Sequence, residues 1–191
     1  MTKNRMEAFS DGVLAIIITI MVLEMKVPHG TDFASLYPLL PVFLSYLLSF
    51  IFLGIYWNNH HHLMQAVKRV NGSILWANLH LLFWLSLTPF VTGWMGENNF
   101  AALPVAFYGV VLLFAAIAYY ILTLTLISHH GKNSTLAVAV GNDFKGKISV
   151  VIYIIAILSC FIHPLIAGGL YVSVAIMWLI PDRRIEKIIS E

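Results

Sequence analysis

The residues best placed to do chemistry lie where the chain first turns apolar. The uncharged run at residues 12–23 is preceded by three ionisable residues, Arg5, Glu7 and Asp11. Ionisable groups at the mouth of a membrane helix are energetically expensive, so they usually face a bundle interior or a water-filled path rather than lipid. This placement indicates a helix that enters a membrane with its polar end facing other helices or water.

One face of this first helix carries a stripe of residues at alternating steps of four and three, the spacing of a single helical face. Its members are Arg5, Phe9, Gly12, Ile16, Thr19, Leu23 and Lys26. Charges at both ends and one hydroxyl between branched apolar residues are typical of the wall of a narrow pore. The ordinary alternatives are that Thr19 hydrogen-bonds back to the carbonyl of residue 15 and that Ile16 and Leu23 pack in a core. The residues alone leave both interpretations open.

Asp11 is predicted to leave the stripe. It points about 140° away from Ile16 at 100° per residue, towards neighbouring helices. Arg5 and Asp11 are six residues apart and cannot pair along one helix, since side-chain pairs meet at spacings of three and four. We therefore expect their partners on other spans or other subunits, as a polar clamp that leaves the stripe free to face an axis.

The eight histidines are the second candidate for chemistry: His29, His60, His61, His62, His80, His129, His130 and His163. A haem site in a bundle would need histidines at matching depth on facing helices. Most of these lie at predicted span ends, and the sequence contains no C-x-x-C-H or H-E-x-x-H motif. We interpret them as interfacial residues, with no cofactor, no metal site and no catalytic residue expected.

His80 differs from the other histidines because it lies about two turns into the predicted third span. We expect it to hydrogen-bond with Asp11 or Ser10 between helices. The alternative is that it titrates and confers pH sensitivity.

The elements that must position these residues are transmembrane helices. Of 191 residues, 60% are hydrophobic and 10% charged, against about 25% charged in soluble domains. This predicts an all-α, polytopic membrane protein whose single domain covers residues 1–191. Spans of about 20 apolar residues are marked off at about 8–24, 36–57, 74–94, 101–128, 148–162 and 165–180. The first is short and acidic at both ends, which favours the bundle centre over a lipid-facing position.

Basic residues set the orientation, because cytoplasmic loops collect Lys and Arg. Ten of the eleven lie before the first span or after the second, fourth and sixth, and only Lys26 lies on the other side. This predicts cytoplasmic termini and an even number of spans. The net charge of +2 follows from that topology and gives no indication of nucleic-acid binding.

Other features predict packing rather than chemistry. Glu7 and Asp11 interrupt the apolar run that a signal peptide needs, so we expect no cleavage. Cys160 is the only cysteine and is expected to pack as a small hydrophobe. Pro164, followed by Gly168 and Gly169, predicts a tight hairpin of the last two spans with a close-packing site. Trp57 and other tryptophans near span ends are interpreted as interfacial anchors.

The first span carries a family resemblance. Arg-x-x-x-Phe-Ser-Asp, continuing into Gly-Val-Leu-Ala-Ile-Ile-Ile-Thr, resembles the signature of the transmembrane protein 175 family, potassium channels of endosomes and lysosomes with prokaryotic relatives. Arg5, Phe9, Ser10 and Asp11 match the motif in full. Looser matches are Trp57, His60, Asn78 and Pro89. The resemblance covers essentially the whole chain, because six spans with cytoplasmic termini are the family's repeat unit.

The resemblance implies a potassium channel of a prokaryotic inner membrane, a homotetramer with four first spans around one axis. The family's constriction and selectivity positions fall on Ile16, Thr19 and Leu23, with potassium passing near Thr19. Polar residues of the first and third spans form a network, which adds Asn78 and His80 to Arg5, Phe9, Ser10 and Asp11. A ring of Ile16 side chains would gate by dewetting, and the absent T-V-G-Y-G loop leaves no carbonyl-ring filter.

Two alternative functions remain at this point. The first is a membrane redox protein that holds haem or a metal through its histidines. The second is a transporter that couples substrate flux to an ion gradient.

Overall fold

The computed structural model describes residues 2–67, 69–131, 134–141 and 143–179, and every regular element within them is helical. This confirms the predicted all-α class. The helices are α1 (Lys3–Leu23), α2 (Leu40–Gln65), α3 (Gly72–Ser86), α4 (Thr88–Glu97), α5 (Ala102–His130), α6 (Thr135–Val140), α7 (Phe144–Ser159) and α8 (Pro164–Leu179). A 3-10 helix at Phe33–Leu39 leads directly into α2.

Four helical stretches among the described residues are long and apolar enough to cross a membrane: Lys3–Leu23, Phe33–Gln65, Gly72–Glu97 and Ala102–His130. They correspond to the first four predicted spans. The predicted fifth and sixth spans correspond to α7 and α8, which have 16 residues each. At 1.5 Å per residue each is about 24 Å long, shorter than a hydrocarbon core of about 30 Å. The count of six spans therefore stays a prediction, and its last residue, 180, lies outside the described residues.

The predicted third span is broken into two helices. Leu87 separates α3 from α4, and Pro89 follows in the first turn of α4. Proline has no backbone N–H to donate to the carbonyl four residues earlier, so a helix bends or breaks before it. The break places Thr88 and Thr92 of α4 in buried positions against the rest of the bundle.

The interior consists of two apolar clusters. The first packs the buried face of α1, which includes Met6, Leu14 and Ile17, against α2, α3 and α5. The second joins α2, α4 and α5 to α7 and α8, and Cys160 lies buried in it, as predicted for a small apolar side chain. Only one face of α1 is used in this packing, which leaves its opposite face uncovered.

The predicted close-packing site at Gly168 and Gly169 is wrong. A Cβ added at either glycine would meet no atom within 4 Å, because both border an apolar groove that separates α8 from α2. Close approach occurs at two other glycines. A Cβ at Gly109 of α5 would overlap the Tyr171 hydroxyl, and one at Gly96 of α4 would lie 2.7 Å from the Val42 Cα.

Candidate functional site

The two faces of α1 differ sharply in exposure. Met6, Ser10, Leu14, Ile17 and Met21 are buried against neighbouring helices. All seven residues of the predicted stripe are exposed, with Ile16 at 59% and Leu23 at 79%. Ile16 and Leu23 therefore lie outside the core of the subunit, on a face that its own helices leave uncovered.

Thr19 lies in the middle of this exposed stripe. Its hydroxyl is 3.1 Å from the Ala15 carbonyl and 2.8 Å from the Ile16 carbonyl, so the hydrogen bond within the helix that was the ordinary alternative is present. A hydroxyl has one hydrogen and two lone pairs. Because the hydrogen points back along the helix, the oxygen keeps its acceptor capacity for a group on the exposed side.

Asp11 connects α1 to α2 through a tryptophan. The Trp57 Nε1–H donates to Asp11 Oδ1 at 3.1 Å. The carboxylate thus faces a neighbouring helix, as its helical angle relative to Ile16 predicted. Trp57, interpreted from the sequence as an interfacial anchor, is half exposed and also has this specific polar partner.

A buried chain of hydrogen bonds links α1, α3 and α2. The Asn78 Nδ2 donates to Ser10 Oγ at 2.9 Å, and the Ser10 hydroxyl donates to the Met6 carbonyl at 2.8 Å. His60 Nε2 lies 2.8 Å from Asn78 Oδ1. Because an amide oxygen only accepts, His60 must carry its hydrogen on Nε2 and donate it. All three side chains are buried, so the chain is shielded from solvent.

His80 does not join this chain, contrary to the expectation from the sequence. It is exposed and accepts a hydrogen bond from Trp84 Nε1 of its own helix at 3.0 Å. Asn78 and His80 are two residues apart, which separates them by about 200° around a helix. His60 takes the position expected for His80. A usable signal was present, since Trp57 and His60 are three apart and share one face of α2.

The first turn of α1 holds contacts that the sequence did not indicate. The Glu7 carboxylate lies 3.1 Å from His61 Nδ1, and the other nitrogen of His61 lies 2.9 Å from Gln65 Nε2. Arg5 and Phe9 behave differently. Both are exposed, and the Arg5 guanidinium makes no hydrogen bond or ion pair with any residue that the structure describes.

A second buried polar cluster lies near the other end of α1. Ser49 Oγ is 2.7 Å from Thr92 Oγ1 and 3.1 Å from the Tyr108 hydroxyl, and the Thr92 hydroxyl is 2.6 Å from the Thr88 carbonyl. Thr92 Oγ1 also lies 3.9 Å from Met21 Sδ of α1. The sequence analysis missed this cluster because its hydroxyls come from segments 43 and 59 positions apart, each largely apolar.

Lys26, predicted as the last residue of the helical stripe, lies outside the helix because α1 ends at Leu23. It forms an exposed ion pair with Glu97 at 3.4 Å. Such exposed pairs add little stability. The described residues contain no group of three or more His, Cys, Asp or Glu side chains that could hold a metal ion.

Comparison with known proteins identifies proteins that are similar to this chain. Residues 5–89 match the family model described as endosomal/lysosomal potassium channel TMEM175. A potassium channel of Chryseobacterium sp. is 61% identical over 191 residues, which cover 100% of both chains. A potassium channel of Streptomyces collinus is 34% identical over 125 residues, 61% of each chain.

A solved structure matches as well. The crystal structure of a lysosomal potassium-selective channel TMEM175 homolog from Chamaesiphon minutus superposes with a TM-score of 0.82 at 28% sequence identity. The match covers 94% of this chain and 97% of that one. The Arg-x-x-x-Phe-Ser-Asp motif, the family model and the shared fold agree, and the chain belongs to the TMEM175 family.

Proposed function

We propose that the protein is a potassium-selective channel whose pore is lined by α1 of four copies around one axis. The observation that carries the proposal is the stripe on α1, which the subunit leaves exposed although it bears Arg5 and Thr19. The matched relatives from Chryseobacterium and Streptomyces are named potassium channels, which supports the choice of ion.

Exposure in the single subunit would fit a lipid-facing surface as well as a pore wall, so the residue types on the stripe must distinguish the two. Lipid-facing positions are apolar, and ionisable residues in membrane helices turn towards a bundle interior or water. The stripe begins with a charge at Arg5 and has a hydroxyl at its centre, and Lys26 follows just beyond the end of the helix. Only residues 12–23 separate Asp11 from Glu24. A single short helix cannot enclose a path, whereas a closed cyclic set can.

In the proposed pore Ile16 and Leu23 form two apolar rings about 10 Å apart, since seven residues rise 1.5 Å each. Apolar constrictions can gate by expelling water. Four Thr19 hydroxyls lie between the rings and supply side-chain oxygens for a partly dehydrated ion. The sequence has no T-V-G-Y-G loop, so selection of potassium over sodium would rest on the lower dehydration cost of the larger ion.

The polar contacts of α1 serve this function by fixing which face meets the axis. The Asp11–Trp57 bond and the Ser10–Asn78–His60 chain hold the covered face of α1 against α2 and α3. Arg5 and Phe9, which are exposed in the single subunit, are assigned to contacts with a neighbouring subunit. His80 has no part in the clamp, because it pairs with Trp84.

The setting proposed for this channel is a multi-pass protein of a prokaryotic inner membrane with cytoplasmic termini. Six spans per subunit would require α7 and α8 to cross where the bilayer thins or where neighbouring helices cover their ends. No catalytic step is assigned to any residue.

The decisive experiment is ion flux into liposomes that hold the purified protein. Potassium flux should exceed sodium flux, and Ile16→Ala should raise the flux and lower the preference for potassium by widening the constriction. Ile18→Ala is the matched control, because Ile18 packs against the core instead of lying on the stripe. Folded, inserted protein that passes neither ion would refute the channel. Equal effects of the two variants on flux and on ion preference would show that the stripe on α1 does not line the pore.

A further inference from the structure

A tyrosine-lined cavity lies away from α1, where α2, α5, α7 and α8 meet. Its walls include Phe52, Tyr56, Asn59, Tyr119, Asp143 and Tyr153. The open volume is about 40 Å³, against the roughly 10–15 Å³ that one water needs. None of these residues belongs to the stripe or to its polar contacts, so the cavity is separate from the proposed pore.

Two tyrosine hydroxyls in this cavity lack a protein partner. Tyr153 is buried and Tyr56 is half-buried, and neither hydroxyl makes a hydrogen bond to any described residue. A third lining tyrosine, Tyr120, is exposed and open to solvent. Neighbouring polar groups are satisfied. Tyr119 donates to the Asn59 carbonyl at 3.2 Å, and Ser149 donates to the Lys145 carbonyl and accepts from Trp178. Both hydroxyls border the open volume of the cavity and are not sealed in protein, since His62 Nδ1 is the one fully buried side-chain N or O atom without a partner among the described residues. They are therefore available to pair with an occupant of the cavity.

The lining favours a cation over an anion. Asp143 is the only charged side chain among the described lining residues, and its carboxylate has acceptor capacity beyond the bond that Oδ1 receives from the Gly146 N–H at 3.1 Å. Aromatic rings attract cations through their faces. An ammonium group is already held this way nearby, because Lys145 Nζ lies 6.0 Å from the centre of the Trp178 ring.

We propose that this cavity binds a small primary ammonium group. An ammonium carries three N–H donors and no acceptor, which suits two tyrosine oxygens and a carboxylate within an aromatic wall. A quaternary ammonium would leave the hydroxyls unpaired, and the small volume excludes bulky amines. Two sources offer this chemistry: a free short-chain amine, or the ethanolamine headgroup of a phospholipid that reaches in from the membrane surface.

The test is a titration of the purified full chain in phosphatidylcholine nanodiscs. Methylammonium chloride is added at constant ionic strength against potassium chloride, and the thermal unfolding midpoint is followed by circular dichroism. Methylammonium should raise the midpoint saturably and potassium should not. Tyr153→Phe and Asp143→Asn should each weaken the apparent affinity about tenfold, as expected for loss of a hydrogen bond to a charged group.

Both variants are chosen to keep the fold. Tyr153→Phe retains the aromatic ring and removes only an unpaired hydroxyl, and Asp143→Asn keeps a side-chain oxygen that can accept from the Gly146 N–H. Tyr46→Phe, on α2 outside the cavity, is the matched control and should bind like the unaltered chain. No midpoint shift in the unaltered chain, an equal shift with potassium, or an undiminished shift in both cavity variants would each overturn the proposal.

A second titration distinguishes the lipid headgroup from a free amine. The same titration is run in nanodiscs that contain phosphatidylethanolamine. A lower apparent affinity for methylammonium there, absent in Tyr153→Phe, would support the proposal with the lipid headgroup as occupant. Equal affinity in both lipids, together with the loss in the cavity variants, would support it with a free amine as occupant.

Discussion

Asn78→Leu tests whether the buried chain Ser10–Asn78–His60 holds α1 in place. Leucine has the same branched outline of four side-chain heavy atoms and is not smaller than asparagine, so the change removes hydrogen bonds without opening a cavity. Two bonds are lost, to Ser10 at 2.9 Å and to His60 at 2.8 Å. A bond contributes about 1 kcal/mol net, and a buried donor left without a partner costs about 1–3 kcal/mol.

The structure shows which donor is left without a partner. Ser10 keeps its bond to the Met6 carbonyl at 2.8 Å, whereas His60 loses the acceptor of its buried Nε2–H. The expected loss is therefore about 2–4 kcal/mol. At about 2–4 °C per kcal/mol for a chain of this size, the unfolding midpoint should fall by roughly 4–16 °C.

The assay is thermal unfolding of the detergent-purified protein, followed by circular dichroism. Asn58→Leu is the matched control, because Asn58 also lies on an apolar helix but is exposed. His60→Phe completes a double-mutant cycle. If His60 and Asn78 act through one bond, the double variant should lose clearly less stability than the sum of the single losses. A midpoint for Asn78→Leu within about 1–2 °C of the control, or strictly additive losses, would show that the His60–Asn78 bond does not hold α1 in place.

Four further predictions follow from particular contacts. Thr19→Ala should lower the potassium-over-sodium ratio in liposome flux while the oligomer mass stays unchanged; an unchanged ratio would leave Thr19 with only its bond inside the helix. Asp11→Ala, which removes the acceptor of Trp57, should reduce oligomer mass or conductance more than Glu7→Ala does, and equal small effects would count against the clamp. Gly109→Ala should destabilise the fold by about 1–3 kcal/mol, because a Cβ there overlaps the Tyr171 hydroxyl; Gly168→Ala, in open space, should not, and similar melting of the two would be contrary evidence. Hydrogen bonds from the Ser35 hydroxyl and N–H lower the pKa of Asp32 below its ordinary value. The stability that this contact adds is therefore fully present at any pH above the usual aspartate pKa and is lost as the pH falls through the lowered value. Ser35→Ala should raise the Asp32 pKa in an NMR titration, and no rise would contradict the assignment.

The shared face of the stripe residues from Arg5 to Leu23 could be predicted from the sequence because it depends on local geometry alone, whereas Lys26 lies beyond the end of α1. Residues at steps of three and four share a helical face wherever the helix is packed. The same geometry turned Asp11 towards α2, as expected. It also shows why the expectation for His80 was wrong, since a residue two positions from Asn78 must point to a different side of α3.

Features that depend on tertiary packing could not be predicted from the same reasoning. The Ser49–Thr92 and Ser49–Tyr108 contacts join residues 43 and 59 positions apart. A lone hydroxyl in an apolar run is compatible with a bond inside its own helix, and nothing local distinguishes the two cases. The tyrosine-lined cavity has the same origin, because its walls come from four helices that only the fold brings together.

The span boundaries illustrate a third limit. The predicted fifth span, 148–162, is matched by a helix that begins at Phe144 and ends at Ser159. Hydropathy excludes Lys145 and Lys147 from a span, but a helix can begin before the apolar run because Asp143 accepts the Gly146 N–H at its start. Composition indicates which residues can contact lipid, whereas capping residues indicate where a helix begins.

The polar contacts of α1 also constrain how the proposed channel could open. They fall at two levels, around Ser10 and Asp11 near one end and around Met21 near the other, about 16 Å apart along the helix. Turning α1 alone by one residue step of about 100° would break the Ser10–Asn78 and Asp11–Trp57 bonds together. It would also bring buried Leu14 and Ile17 out of the core. A movement in which α1 shifts together with α2, α3 and α4 keeps all of these polar contacts, because Met21 contacts Thr92 of α4. Widening of the Ile16 and Leu23 rings is therefore better served by displacement of the four helices as a unit than by rotation of α1.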